Sequence, residues 1–426
     1  MNIRKGLILL SSFALILVGA SKVVYASENN ELNLTSKSAI VMDVETGEVL
    51  YEYNSGEKTQ MASTTKLMTA LLLAENRNKN DILNFTEKAM MQPSTSVYKD
   101  IAWQLNPTDK FLASDVMNGL MLKSGNDMAM VIAENIAGDE NSFSELMDKK
   151  AIELGMLDSD FYTVSGLDTD DVLNGENHFS TAYDMALLGV AAYNNEWIRE
   201  SMSLKNTTMS TIDGYEFELE NSNKNLGIDG CVGGKTGYTT KAQRCLVAMY
   251  EREDRTLVGV VLGGSNPGYF NDMKKIIDYS FSLKPTTKIN KNNIIYEEKM
   301  NFKPYIFVGS EKTVLMPIFL KENVDTYIND FNDKNTEYNI VMNDISLWKL
   351  DKETKVGEFI VKEKNSLKKY DLYTTLTTKE LIKMNLIEYM VIVFVIIAAL
   401  IFCFIRFRKK ENKNIWGGDS VCKYMQ

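Results

Sequence analysis

A serine hydroxyl becomes a useful nucleophile near neutral pH only when a base lies within reach of its proton. Six serines are followed three residues later by a lysine, at Ser55, Ser63, Ser96, Ser346, Ser366 and Ser420, so spacing alone does not choose among them. Only Ser63 opens a strongly helical run, T-T-K-L-M-T-A-L-L-L-A-E-N, in which Ser63 and Lys66 share one helical face and their tips can meet. The usual alternative base is an imidazole, and His178 is the one histidine in the sequence. It sits in E-N-H-F-S-T-A-Y-D-M-A, where Ser180 or Thr181 is the expected N-cap of the next helix, so His178 is read as structural. Lys66 is therefore the expected base. The positive helix end and burial among apolar side chains both disfavour its charged form and lower its pKa.

Two further groups carry polar chemistry. Ser124-Gly125-Asn126 interrupts the helical pattern M-N-G-L-M-L-K-S-G-N-D-M-A-M-V-I-A. A hydroxyl and an amide there could pass a proton to a leaving amine and hold a substrate amide, although taken alone the triplet is also what a plain helix break looks like. Lys235-Thr236-Gly237 occurs once, after Gly233-Gly234 at the head of a strand-like run. It offers an ammonium and a hydroxyl to a carboxylate, and a glycine that lets backbone approach closely.

The ordered set S-x-x-K, S-x-N, K-T-G, at intervals of 61 and 111 residues, resembles the signature of the penicillin-recognising serine enzymes. Further stretches narrow the resemblance: M-A-S-T-T-K-L-M-T-A, L-K-S-G-N-D, S-G-L-D, H-F-S-T-A-Y-D-M-A, N-S-N-K-N-L and G-G-K-T-G-Y-T. From Ser38 to Leu283 the sequence is similar to the low-molecular-weight penicillin-binding proteins, serine-type D-alanyl-D-alanine carboxypeptidases. That resemblance implies that Ser63 attacks the carbonyl of the penultimate D-Ala of a peptidoglycan stem peptide and that Lys66 accepts its proton. Ser124 and Asn126 would serve proton transfer and positioning, Lys235 and Thr236 would hold the terminal carboxylate, and the backbone N–H groups of Ser63 and Tyr238 would form the oxyanion hole. It also implies covalent inhibition by β-lactams; with one histidine and no close cysteine pair, no metal or other cofactor is expected. Met61, Met128 and Gln243 depart from the family pattern, which more often has proline or isoleucine, alanine and glycine there; none is a catalytic group.

The elements that must position these residues follow from patterning. Ala39 to Leu50 reads as two strands around a Thr46-Gly47 turn, helical periodicity dominates Ser114–Ala137, Phe143–Leu154 and Ser180–Tyr193, and Cys231–Val261 returns to strands. Strands flanking a helical cluster predict an α+β fold, an antiparallel sheet with the cluster inserted, over residues 33–284. After Lys284-Pro285, short alternating runs at Tyr305–Val308, Val314–Leu320 and Glu358–Val361 predict a small all-β domain over 286–375. Residues 1–26 read as a secretory signal peptide, with Arg4 and Lys5 ahead of an apolar run and Val24-Tyr25-Ala26 at its end. Leu386–Ile405 is apolar except for Glu388 at its outer edge and is long enough to span a bilayer, and Arg406, Arg408, Lys409 and Lys410 mark 406–426 as a cytoplasmic tail. Both ends place the body outside the cell.

A chain of 426 residues with 45% apolar content can bury two domain cores. A net charge of −10 with basic and acidic residues interspersed excludes a nucleic-acid-binding face. Cys231 and Cys245 are the two cysteines in the exported body, and a disulfide between them is neither required nor excluded; no metal-ligand cluster is evident. Three other functions draw on the same residues. A β-lactamase shares the motifs, and Asp170-x-x-Leu173-Asn174 mimics a deacylation loop with a carboxylate one methylene short. A D,D-transpeptidase or endopeptidase differs only in what reaches the acyl-enzyme. A β-lactam sensor would need an output domain, and only about 21 residues follow Ile405.

Overall fold

Strand runs separated by some 180 residues of sequence can satisfy their edge N–H and C=O groups by pairing in one sheet. In the computed structural model, which describes residues 32–100, 105–168, 177–304, 311–364 and 366–415, they do so. Strands β1 (Ser38–Asp43), β2 (Val49–Tyr53), β3 (Cys231–Thr239), β4 (Gln243–Arg252) and β5 (Arg255–Gly264) form one antiparallel sheet in the order β2-β1-β5-β4-β3. Side chains alternate across it. Ile40, Met42, Val247, Val258 and Val260 face the helical cluster, and Ala39, Val41, Leu246, Leu257 and Val261 face the other side. The fold is α+β, with the helical cluster inserted between β2 and β3.

The cluster is built around α1 (Lys66–Asn76), whose residues Lys66 to Leu73 are all buried. Around it stand α2 (Ala113–Asn118), α3 (Asn126–Ala137), α4 (Glu140–Glu153), α5 (Ala182–Asn194) and α6 (Glu196–Ser203). Thr181, one of the two expected caps, accepts the Asp184 N–H at 3.0 Å and starts α5. Helix α7 (Gly268–Ser282) covers the opposite face of the sheet. Its Asp272 accepts the N–H and hydroxyl of both Thr35 and Ser36, at 2.8–2.9 Å, and so ties the segment entering β1 to the helix.

Beyond Lys284 a second antiparallel sheet contains β6 (Ile294–Phe302), β7 (Lys312–Leu320), β8 (Glu337–Met342), β9 (Gly357–Lys362) and β10 (Leu367–Thr374), in the order β6-β7-β10-β9-β8. One departure from an all-β reading is a short helix, Asp330–Asn335, capped by Asn329. It forms because Asn329 and Asn332 donate to the Val49 carbonyl at 2.8 and 2.9 Å, plugging this segment onto β2. Beside it, the buried carboxylate of Glu48 accepts from Thr326 Oγ1 at 2.8 Å, the Tyr327 N–H at 3.2 Å and Lys368 Nζ at 2.8 Å. Each part of the chain thus supplies hydrogen bonds the other needs. Helix α8 (Thr378–Met384) then leads into α9 (Leu386–Ile415), which over Leu386–Lys410 is apolar and long enough to cross a membrane and is exposed. Cys231 and Cys245 are both free; they stand at opposite ends of the β3–β4 hairpin, paired with Tyr250 and Gly237. The 1–26 segment, Asp170–Asn174, Tyr305–Val308 and the tail after residue 415 lie outside the described residues.

Candidate active site

Ser63 lies in a 3-10 turn, Ala62–Thr65, that runs straight into α1. Its hydroxyl is not used as a cap. Instead Lys66, one turn on, donates from Nζ to Ser63 Oγ at 2.8 Å, and the same ammonium reaches Asn126 Oδ1 at 2.7 Å and the Ser165 carbonyl at 2.8 Å. Lys66 has no exposed surface and no carboxylate among these partners. Burial drives its pKa well below the ordinary lysine value, Lys235 nearby lowers it further, and Asp127 opposes both. A neutral amine touching the serine hydroxyl is what a general base for this serine requires.

The turn is held by its neighbours. The Ser165–Asp168 stretch passes over α1: Thr69 Oγ1 donates to the Val164 carbonyl at 2.6 Å, and Gly166 at φ +78° lies so near that a Cβ there would sit 1.9 Å from the Ala62 carbonyl oxygen. Only glycine fits. Ala62 itself adopts φ +46°, a left-handed conformation in the residue preceding Ser63. His178 is buried beneath this corner. Its Nδ1 accepts the Tyr162 N–H at 3.1 Å, which leaves Nε2 to donate to Thr65 Oγ1 at 3.3 Å, and burial pushes its pKa down to about 4. It braces the site as a neutral ring.

The helical pattern around Ser124 breaks physically. A wide, π-type turn over Gly119–Lys123 ends at Ser124, at φ +65°, and α3 restarts at Asn126. This leaves Ser124 half-buried and without a hydrogen bond to the other site residues among those described, while Asn126 points inward and also donates to the Pro93 carbonyl at 2.8 Å. Asp127, to which the sequence pattern assigns no role, is fully buried and accepts from the N–H groups of Val97 and Tyr98 at 3.0 and 2.8 Å, fixing that loop beside Asn126.

Strand β3 closes the other side. A Cβ on Gly237 would lie 2.9 Å from the Ser63 nitrogen and 3.0 Å from both Ala62 Cβ and the Thr64 nitrogen, so the strand backbone rests directly against the Ser63 turn. Lys235 is buried, donates to the Thr236 carbonyl at 3.1 Å, and has its pKa lowered by burial to about 7. Thr236 Oγ1 meets Ser222 Oγ at 2.8 Å, a partner that the sequence reading named within N-S-N-K-N-L but gave no role. Tyr238 is exposed, with the Arg244 guanidinium 4.3 Å from its ring centre. Ser63, Lys66 and Asn126 are thus joined by direct hydrogen bonds, Gly237 touches their turn, and Lys235 acts on Lys66 through charge.

Comparison with known proteins gives the family. Residues 24–266 match the family model described as D-alanyl-D-alanine carboxypeptidase. The chain is 32% identical over 274 residues to the D-alanyl-D-alanine carboxypeptidase DacF of Bacillus subtilis, covering 62% of this chain and 67% of that protein. It spans about two thirds of the length of such curated relatives. A solved mutant of the Streptomyces K15 DD-transpeptidase shares 26% identity at TM-score 0.53, covering 59% of this chain and 99% of that one. The DacD carboxypeptidase structure from Francisella tularensis shares the fold at TM-score 0.58 over 80% of this chain and 93% of its own, with 20% identity.

Proposed function

The chain belongs to the D-alanyl-D-alanine carboxypeptidase family, and on that premise we propose that it removes the terminal D-Ala from peptidoglycan stem peptides through an acyl-enzyme on Ser63. The observation that carries the reading is the buried Lys66 amine in contact with Ser63 Oγ. As Ser63 Oγ bonds to the carbonyl carbon of the penultimate D-Ala, its proton passes to Lys66 Nζ. The carbonyl oxygen takes the electron pair and faces the N–H groups of Ser63 and Tyr238, donors that count only once that charge develops. Collapse breaks the C–N bond, and the departing amine of D-Ala takes the proton from Lys66 by way of Ser124. Water then adds to the ester, Lys66 again taking the proton, and Ser63 is released. Lys235, Thr236 and Ser222 offer the donors for the terminal carboxylate, with Lys235 charged when that carboxylate is present. Penicillins acylate the same hydroxyl.

A second reading, transfer of the acyl group to an amine, draws support from the likeness to a protein named a DD-transpeptidase. Incubating purified protein with a soluble peptide ending in D-Ala-D-Ala and a glycine acceptor decides between them, since both reactions release D-alanine: a peptide shortened by one residue supports hydrolysis, and a peptide of unchanged length with glycine in place of the terminal D-Ala supports transfer. Loss of both in Ser63→Ala is expected; retention of either would sink Ser63 as the nucleophile.

We read α9 as a single membrane span, with the body outside and Arg406, Arg408, Lys409 and Lys410 on the cytoplasmic side. The second sheet then acts as a post between membrane and active site. Strand β7 alone, with 9 residues at about 3.3 Å each, extends roughly 30 Å.

A further inference from the structure

The end of the second sheet from which α9 departs carries features that neither catalysis nor the sheet's own core uses. Strands β6 and β7 end there, with Phe302 paired to Lys312. Lys312 Nζ donates to Asn385 Oδ1 at 3.1 Å and pairs with Glu388, and Tyr389 Oη donates to the Pro304 carbonyl at 3.0 Å. The first turn of α9 is therefore bonded to the sheet and does not swing from a free linker. Asn385, the one residue between α8 and α9, is buried and caps that corner by donating to the Leu381 carbonyl at 2.8 Å.

Around this joint, side chains turn outward in a pattern suited to a water–lipid boundary. Helix α8 buries Leu381 against the sheet but exposes Ile382 at 41% and Met384 at 70%, with Lys379 and Lys383 exposed on the same short helix. Thr378 hydrogen-bonds to the Leu347 and Leu350 carbonyls, which brings the turn Leu347–Lys349 to the same corner. That turn presents Trp348, half-buried against the Phe302 ring at 6.3 Å, and exposed Lys349. None of Lys349, Lys379 and Lys383 has a carboxylate partner among the described residues. Of the acidic groups nearby, Glu380 closes a capping box with Thr377, Glu388 is held by Lys312, exposed Glu311 stands at the strand end opposite exposed Lys303, and exposed Asp344 and Asp351 flank the turn that carries Lys349. Over 303–312, 344–352 and 377–389 six lysines stand against five carboxylates, a net charge of +1.

We propose that this face is a lipid-binding surface: the membrane-side end of the second sheet seats on anionic phospholipid headgroups of the outer leaflet. Lys349, Lys379 and Lys383 meet the phosphates, while Trp348, Ile382 and Met384 enter the headgroup layer. The proposal rests on α9 being a membrane span. The occupant is a lipid surface because α9 leaves from the middle of the patch with one residue between it and α8, because Lys349, Lys379 and Lys383 stand exposed there without a carboxylate partner, and because an aromatic and two aliphatic side chains beside such charges are what an interfacial belt contains. Each lysine near an anionic surface raises its occupancy about fivefold.

The test uses the full chain in nanodiscs of pure zwitterionic phosphatidylcholine and of phosphatidylcholine with phosphatidylglycerol, read by hydrogen–deuterium exchange. Amides of 346–350 and 376–385 should exchange severalfold more slowly in the anionic discs. The triple variant Lys349→Glu, Lys379→Glu, Lys383→Glu should lose that difference while releasing D-alanine from soluble peptide at the parental rate. Equal exchange of these segments in the two lipids, or a difference that survives the triple variant, overturns the headgroup seat. Rapid exchange of 390–405 in both discs would instead overturn the span itself, and with it the premise. If the triple variant exchanges faster throughout the second sheet it has not folded; Lys383→Gln alone, expected to lose about a fivefold share, then decides.

Discussion

Substituting Gly237 with alanine probes whether the contact between β3 and the nucleophile turn is what aligns the site. The added Cβ would sit 2.9 Å from the Ser63 nitrogen and 3.0 Å from the Thr64 nitrogen, against an ordinary contact limit of 3.4 Å. Those neighbours are backbone, so neither can rotate away. The strand and turn must part by about half an ångström, and the two N–H groups proposed for the oxyanion hole lie one on each side of that gap. Displacing reacting groups by 1 Å costs about 10²-fold in rate, and losing one oxyanion donor costs about 10²–10³-fold, so a half-ångström opening should slow acylation by roughly 10- to 100-fold. Strain of this kind should also destabilise by about 1–3 kcal/mol. The assay is the second-order rate of labelling by a fluorescent penicillin, with melting temperature followed alongside. Labelling within threefold of the parent in a folded variant would refute the claim that this contact sets the geometry. So would a rate loss fully reversed by lowering the temperature until the variant is as stable as the parent.

Replacing Lys66 with methionine should cut penicillin labelling by about 10²–10⁴-fold while leaving the melting temperature unchanged or higher, because a buried amine gives way to an apolar side chain of similar shape. In the parent, labelling should rise with pH as Lys66 loses its proton, with a midpoint well below 10.5; a midpoint near the free lysine value would count against a desolvated base. His178, with its pKa lowered from 6.5 to about 4, binds its proton more readily in the unfolded chain, so stability should fall as pH drops from 6.5 through 4, by about 3 kcal/mol from this group. Denaturant titrations of parent and His178→Gln at both pH values measure it, and parallel acid limbs would remove His178 as the cause. Gln243 holds φ +60° at the β3–β4 turn, so Gln243→Gly should stabilise by about 0.5–1 kcal/mol in the same titration; a loss of stability would show that its hydrogen bond to the Thr240 carbonyl matters more.

The contact between Ser63 and Lys66 was legible because S-x-x-K at a helix start fixes a local geometry of one turn, and local geometry survives into the fold. Lys235-Thr236-Gly237 was legible for a related reason: a strand edge carrying a glycine can approach another backbone wherever the fold brings one. What supports them was not legible. The Ser165 carbonyl, Ser222 and Asp127 reach the site from about 99, 159 and 61 residues beyond the nucleophile or its base, and nothing in a carbonyl or a buried aspartate's sequence context says where it will arrive. Ser124 read as a helix interruption, and the backbone shows the cause, a wide turn followed by a left-handed residue. Gln243 was noticed only as a departure from the family pattern; its positive φ shows why glycine suits that position. In the second sheet the alternating runs marked strands at Val314–Leu320 and Glu358–Val361, whereas the helix at Asp330–Asn335 depends on docking against Val49 and has no local periodicity to announce it.

The three oxygens around Lys66 Nζ have a further consequence when hydrogens are counted. An ammonium has three N–H bonds, and Ser63 Oγ, Asn126 Oδ1 and the Ser165 carbonyl oxygen take all three. A neutral amine has two N–H bonds and one lone pair. The carbonyl oxygens of Asn126 and Ser165 can only accept, so the two remaining hydrogens go to them, and the lone pair is left facing the one neighbour that can reverse roles and donate. Deprotonation therefore orients the amine without any movement of heavy atoms: losing a proton is the same event as turning toward the serine.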